Sequence, residues 1–153
     1  NGAFGYQIRG ERRINMKIND ADLKKIEGYW INLEKLKKDL KFREWELLHQ
    51  HKEQDENIGG GRASNTSDTT FQKANTLVED KVYNNLKNVV ETLETLYTQL
   101  DDIQKKIVEL RYWDKDGCYE WEDIAAELNI SRNKALNKRN ALIDKTAERL
   151  GWL

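Results

Sequence analysis

Apolar residues recur every three or four positions along most of this chain, the period of an amphipathic helix, and the pattern predicts four helical blocks. The first starts after a cap at Asn19 or Asp20 and places Leu23, Ile26, Trp30, Leu33, Leu36 and Leu40 on one face. It continues less regularly through Phe42, Trp45, Leu47 and Leu48, then loses its period at "HQHKEQDEN". A second block, capped by Asp68, carries Val82, Leu86, Val89, Leu93, Leu96 and Leu100 at alternating steps of four and three. That is a heptad seam. Its partner is either the first helix folded back in the same chain or a second copy of the protein, and both geometries bury it.

A third helix begins at "QLDDIQKKIVELRYW", where Asp101 as N-cap and Gln104 three residues on have capping-box spacing. Ile103, Ile107 and Leu110 give its apolar face. "DKDG" at 114–117 lacks the further acids and the glycine position of a calcium loop, so it reads as a turn.

The last block, "EWEDIAAELNISRNKALNKRNALIDKTAERLGW", has the spacing of a helix-turn-helix. Ile124, Ala125, Leu128 and Ile130 fall where such a unit needs a large core residue, a small one at the crossing and two more around the turn. Asn129 stands at the usual turn glycine and tolerates the left-handed conformation, and Ser131 caps the second helix. Arg132, Asn133, Lys134, Asn137, Lys138, Arg139 and Asn140 follow without an intervening acid. Arg and Asn can read guanine and adenine edges bidentately, and Lys suits phosphate. The alternative for this stretch is a solvated basic face in a helical bundle.

Between the first two blocks lies "DENIGGGRASNTSDTT", residues 55–70. A phosphate-gripping loop needs GxxxxGK[ST] after a hydrophobic strand, whereas this run follows a charged helix and has no lysine at that spacing. It is read as a flexible connector, in which Arg62 could reach a DNA phosphate or an acidic surface on RNA polymerase.

Composition narrows the function further. At 153 residues and 35% charged, the chain can bury one modest core or two small ones. A formal net charge of -1 supplies no global basic field, so any DNA-binding surface is local. Cys118 is the single cysteine and excludes an internal disulfide; it is expected to be a partly buried small residue. His49 and His51, two apart, point to different sides of a helix and are expected to be solvated rather than metal-binding. No metal, cofactor or catalytic constellation is expected, and no apolar stretch reaches the length of a membrane span. Residues 1–15 show no helical period, and "ERRIN" before Met16 can be encoded by a purine-rich ribosome-binding run, so they are read as a leader outside the native chain.

"DIQKKIVELRYW" followed by "WEDIAAELNISRNKA" resembles the region-4 DNA-binding unit of sigma factors. With "ENIGGGRASNTSDTT" upstream and "LGW" at the end, the chain from about Asp20 to Trp152 is similar to phage late-gene regulators of the RinA/ArpU type. Thr69 stands where such regulators often carry proline, and the aromatic they often place near Lys138 is absent. The fold class expected is all-α: long amphipathic helices, as hairpin or coiled coil, then a C-terminal helix-turn-helix domain. The expected parts are a leader 1–15, an N-terminal arm 16–54, a connector 55–68, a heptad helix 69–100 and a sigma region-4-like domain 101–153. The resemblance implies a non-enzymatic activator of late packaging and morphogenesis genes in a bacterial host cytoplasm, with Ser131, Arg132, Asn133, Lys134, Asn137 and Lys138 on double-stranded promoter DNA. Host RNA polymerase and a second copy, forming a homodimer, are the expected protein partners. A small terminase subunit binding phage DNA and a helical scaffold binding only protein are the alternatives.

Overall fold

The computed structural model describes residues 17–56 and 66–153, with side chains described for 17–50 and 70–153. Residues 1–15, Arg62 and most of the glycine-rich connector lie outside the described residues, as does the His51 side chain. The described chain is all-helical. Its α-helices are α1 (Asp20–Ile31), α2 (Leu33–Glu56), α3 (Thr66–Glu79), α4 (Lys81–Gln99), α5 (Asp102–Ile107), α6 (Trp121–Glu127) and α7 (Arg132–Arg149). A π-helical segment, Val108–Trp113, follows α5 directly. No described helix is long and apolar enough to cross a membrane.

The helices divide into two compact units. Among the described residues, one comprises those up to Asn32 together with Thr92–Leu153; the other comprises those of Leu33–Glu91. The first expected block is therefore two helices. Asn19 is its N-cap, accepting the Asp22 N–H at 2.8 Å. The helix stops at Asn32, whose backbone N–H and side-chain amide both donate to the Gly28 carbonyl, at 3.0 and 2.9 Å. Such local side-chain bonds compete with helix propagation, and this is where α1 ends.

The second expected block also divides. α3 already contains Asp68, which is thus not its cap, and Asp80 separates α3 from α4. The Asp80 carboxylate accepts the Tyr83 N–H at 2.7 Å, an N-cap two residues before the first seam residue, Val82. It also receives Arg43 of α2 at 2.7 Å. The guanidinium and the Tyr83 N–H hold the Asp80 carboxyl below its usual range. Along the seam Leu93, Leu96 and Leu100 are buried, Leu86 and Val89 are half-buried and Val82 is exposed. Val90, off the heptad, is buried.

The first unit is built on α7. Ala135 and Leu136 join Ile107, Trp121, Ile124 and Ala125 in one core, bordered by Ile103, Leu110, Tyr119, Leu128 and Ile130. Farther along α7, Leu142, Ile143, Thr146 and Ala147 are buried, as are Ile26 and Trp30 of α1, which packs on α7. The Trp113 indole N–H donates to the Trp30 carbonyl at 3.1 Å, tying the π-helical segment to α1. Gly151 ends α7 with φ +82°, and the Gly151 and Trp152 N–H groups bond back to Glu148 and Ala147. This is a Schellman cap, which requires a left-handed residue at that position. It turns Trp152 onto α1, edge to face with Tyr29 at 6.2 Å and beneath Lys25 at 5.2 Å.

Candidate nucleic-acid interface

α6, its turn and α7 form the candidate surface. α6 opens at Glu120, whose N–H donates to the Asp123 carboxylate at 2.9 Å. It closes on a second Schellman cap: Asn129 N–H bonds to the Ala126 carbonyl at 3.3 Å, and Ile130 N–H to that of Ala125 at 3.0 Å. Asn129 takes φ +57°, the left-handed conformation expected of it. Ile130 then packs into the shared core, and the Ser131 hydroxyl caps α7 by accepting the Lys134 N–H at 3.1 Å. Sequence thus dictates the turn twice, through an Asn that tolerates positive φ and a Ser that stops the chain from winding on.

Around α7, Asn133, Lys134 and Asn137 are exposed, while Ala135 and Leu136 are buried behind them. Ala141 and Lys145 continue the exposed row. Arg132 and Lys138 are only partly exposed, and each has an acidic partner. Arg132 Nε lies 2.6 Å from Glu122 Oε1 of α6. The contact is ionic, because the Nε–H direction misses the oxygen and the buried Nε has no hydrogen-bond acceptor. Lys138 Nζ lies 2.7 Å from Asp101 Oδ2. Asp101 Oδ1 meanwhile accepts the Gln104 N–H at 2.7 Å, completing the expected capping box. Burial pushes the Asp101 carboxyl up, but Lys138 and the Gln104 N–H outweigh it and hold the group below its ordinary range. The stretch that is acid-free along the chain is thus met by carboxylates from other segments, Glu122 of α6 and Asp101 before α5, with Glu27 of α1 on Arg139.

Arg139 and Asn140 turn inward. Asn140 is buried and accepts the Arg139 Nε–H at 2.8 Å. The Arg139 guanidinium sits 3.7 Å from Glu27 and 5.3 Å from the Trp121 ring, which Arg111 also approaches at 5.3 Å. Glu27 in turn accepts the Tyr112 hydroxyl at 2.8 Å. Arg139 thus faces Glu27 of α1 and Trp121 of α6, with Asn140 buried beside it. Sequence reasoning missed Glu27, Asp101 and Glu122 as members of this region, and no spacing in the chain announces them.

The other candidates are placed as follows. His49 is exposed, stacked on Trp45 at 4.2 Å. Cys118 is exposed rather than partly buried, with φ +46°, because the turn at Asp114–Gly117 projects it outward. That turn is held by Asp114 Oδ1, which accepts the N–H groups of Asp116 and Gly117 at 3.1 and 3.0 Å. Among the described residues no group of three or more His, Cys, Asp or Glu side chains could hold a metal ion.

No curated protein and no solved structure matches the chain. A family model described as "Protein of unknown function (DUF722)" matches residues 24–148, from within α1 to near the end of α7. The match covers most of the chain, which therefore belongs to the DUF722 family.

Proposed function

We propose that this chain is a sequence-specific, non-enzymatic DNA-binding protein that activates late genes of a phage or prophage in a bacterial host cytoplasm, a regulator of the RinA/ArpU type. The observation that carries the DNA-binding part is the exposed row of Asn133, Lys134 and Asn137 on the first turns of α7, immediately beyond a tight left-handed turn. We read α6, that turn and α7 as a helix-turn-helix, with α7 in the major groove. There an Asn amide can pair bidentately with adenine and a Lys can neutralise a phosphate. The late-gene part of the proposal rests on the resemblance of residues 20–152.

The second unit supports a contact role. Phe42 and Trp45 are more than half exposed on it and stack at 6.0 Å, and contiguous exposed apolar side chains suit a protein contact. We assign these helices to self-association as a homodimer or to docking on host RNA polymerase. One observation favours the helical scaffold instead: Glu122 and Asp101 neutralise two of the cations meant for DNA.

Selection of bound duplexes from a random-sequence pool separates the two readings. The DNA-binding reading expects one motif to be enriched. Asn133→Ala should then lose ~1–3 kcal/mol on that motif, with affinity for random DNA nearly unchanged. A pool that yields no motif and no binding leaves the protein-only scaffold.

A further inference from the structure

We infer that Glu122 and Asp101 are specificity-determining residues: resident carboxylates that occupy Arg132 and Lys138 in the DNA-free protein and so suppress phosphate-driven binding to arbitrary sequence. The inference rests on the DNA-binding reading above and adds a discriminating device to it.

Most of the exposed ion pairs follow from helix geometry alone. Lys35–Asp39, Lys87–Glu91 and Lys106–Glu109 are i,i+4 or i,i+3 neighbours. The two pairs at the candidate surface are different, since each joins α7 to a residue outside it. Arg132 meets Glu122 of α6 at 2.6 Å, and Lys138 meets Asp101, the cap of α5, at 2.7 Å. Glu122 and Asp101 keep 66% and 44% of their side-chain exposure, so the carboxylate side of each pair is solvated although the Arg132 Nε is itself buried. Exposed pairs contribute little to stability, and the fold does not need these two to hold together.

Their effect on DNA is larger. Non-specific affinity grows with each phosphate a protein neutralises, because each releases condensed counterions. A cation already facing a carboxylate a few ångströms away, well inside the Debye length, contributes much less to that term. Of the three cations Arg132, Lys134 and Lys138, only Lys134 has no ion pair among the described residues. Base reading is affected less. Glu122 contacts Arg132 through Nε, which leaves the two terminal nitrogens of the guanidinium fork for a guanine edge. Asp101 is itself fixed by the Gln104 N–H, so Lys138 is held beside a stationary charge.

The test uses the full chain with Glu122→Gln and Asp101→Asn, measured by fluorescence anisotropy on a selected duplex and on its scrambled counterpart across a salt series. Asn caps helices as well as Asp does, so the α5 cap survives the second change. Circular dichroism checks that both variants remain folded. Each variant should bind the scrambled duplex roughly threefold or more tighter at low salt, with the salt slope steeper by about one. Affinity for the selected duplex should rise less, so discrimination falls. Glu127→Gln, which removes an exposed α6 carboxylate outside both pairs, should produce a clearly smaller gain. An equal gain from Glu127→Gln would reduce the effect to net charge and overturn the inference. So would unchanged scrambled affinity in folded variants of a wild type that binds DNA. A wild type that binds no duplex removes the DNA-binding reading itself, and the inference with it.

Discussion

The Trp30 indole N–H donates to the Thr146 hydroxyl across 3.2 Å, and neither residue retains any solvent exposure. The same hydroxyl donates to the Leu142 carbonyl at 2.7 Å, so it relays between a side chain of α1 and the backbone of α7. Thr146→Val keeps the shape and removes both bonds, leaving a buried N–H with no acceptor. Urea unfolding should show a loss of about 1–3 kcal/mol, the penalty of an unsatisfied buried polar group. Thr146→Ser should recover much of it. Equal losses for Val and Ser would mean that packing, not the hydrogen bond, is the relevant contact.

Tyr112 provides a pH test. Burial raises its phenol well above the ordinary value of 10.0, and the Glu27 carboxylate that accepts its hydrogen bond raises it further. The folded protein therefore keeps this proton at a pH where the unfolded chain has lost it. The associated stability is fully present below pH 10 and is lost as pH rises above that value. Wild-type stability should fall in that alkaline window, and Tyr112→Phe should fall less steeply. Phenolate absorbance of the folded wild type and of Tyr112→Phe should differ by one phenol that ionises above pH 10. Identical alkaline slopes for wild type and Tyr112→Phe would exclude this residue as the source.

Much of the α6–α7 unit was legible because its determinants are local. Asn129, Ser131 and the apolar set Ile124, Ala125, Leu128 and Ile130 act within a few residues of each other, and each has the environment its type demands. The breaks at Asn32 and Asp80 were not read. Apolar periodicity reports which side of a helix is apolar and does not mark a local break between two helices, even though Asp80 and Asn32 are residue types that make such bonds. Nor could periodicity anticipate the π-helical turn at Val108–Trp113. The acid-free basic stretch misled for a related reason. Asp101 lies 37 residues from Lys138, and only tertiary packing brings the two charges together.

Asn129 carries the turn, and its φ of +57° is costly for residues with a Cβ other than Asn or Asp. Asn129→Gly should therefore leave stability within a few tenths of a kcal/mol or raise it. Asn129→Val, β-branched in a left-handed site, should lose about 1–2 kcal/mol. Thermal unfolding of the pair measures this. Because Ile130 and Ser131 follow directly, the Val variant should also weaken DNA binding more than Gly does. A Val variant as stable as wild type would contradict the left-handed turn.

The final prediction separates reading from support along α7. Asn137 is exposed and Asn140, three residues on, is buried against Arg139, so one residue type occupies two roles on one helix. On a selected duplex, Asn137→Ala should cost ~1–3 kcal/mol of binding with no change in unfolding midpoint, as expected of a base contact. Asn140→Ala should do the reverse, lowering stability through the lost part-buried hydrogen bond to Arg139 while the preferred motif stays the same. Lys134→Ala should weaken selected and scrambled duplexes alike and reduce the salt slope by about one, the mark of a phosphate contact. Lys35→Ala and Lys87→Ala serve as controls, since each removes an exposed cation that is paired within its own helix. They should leave both affinities nearly unchanged. If the control lysines weighed as much as Lys134, or if Asn137→Ala and Asn140→Ala affected binding equally, α7 would not be the reading helix and the scaffold reading would take its place.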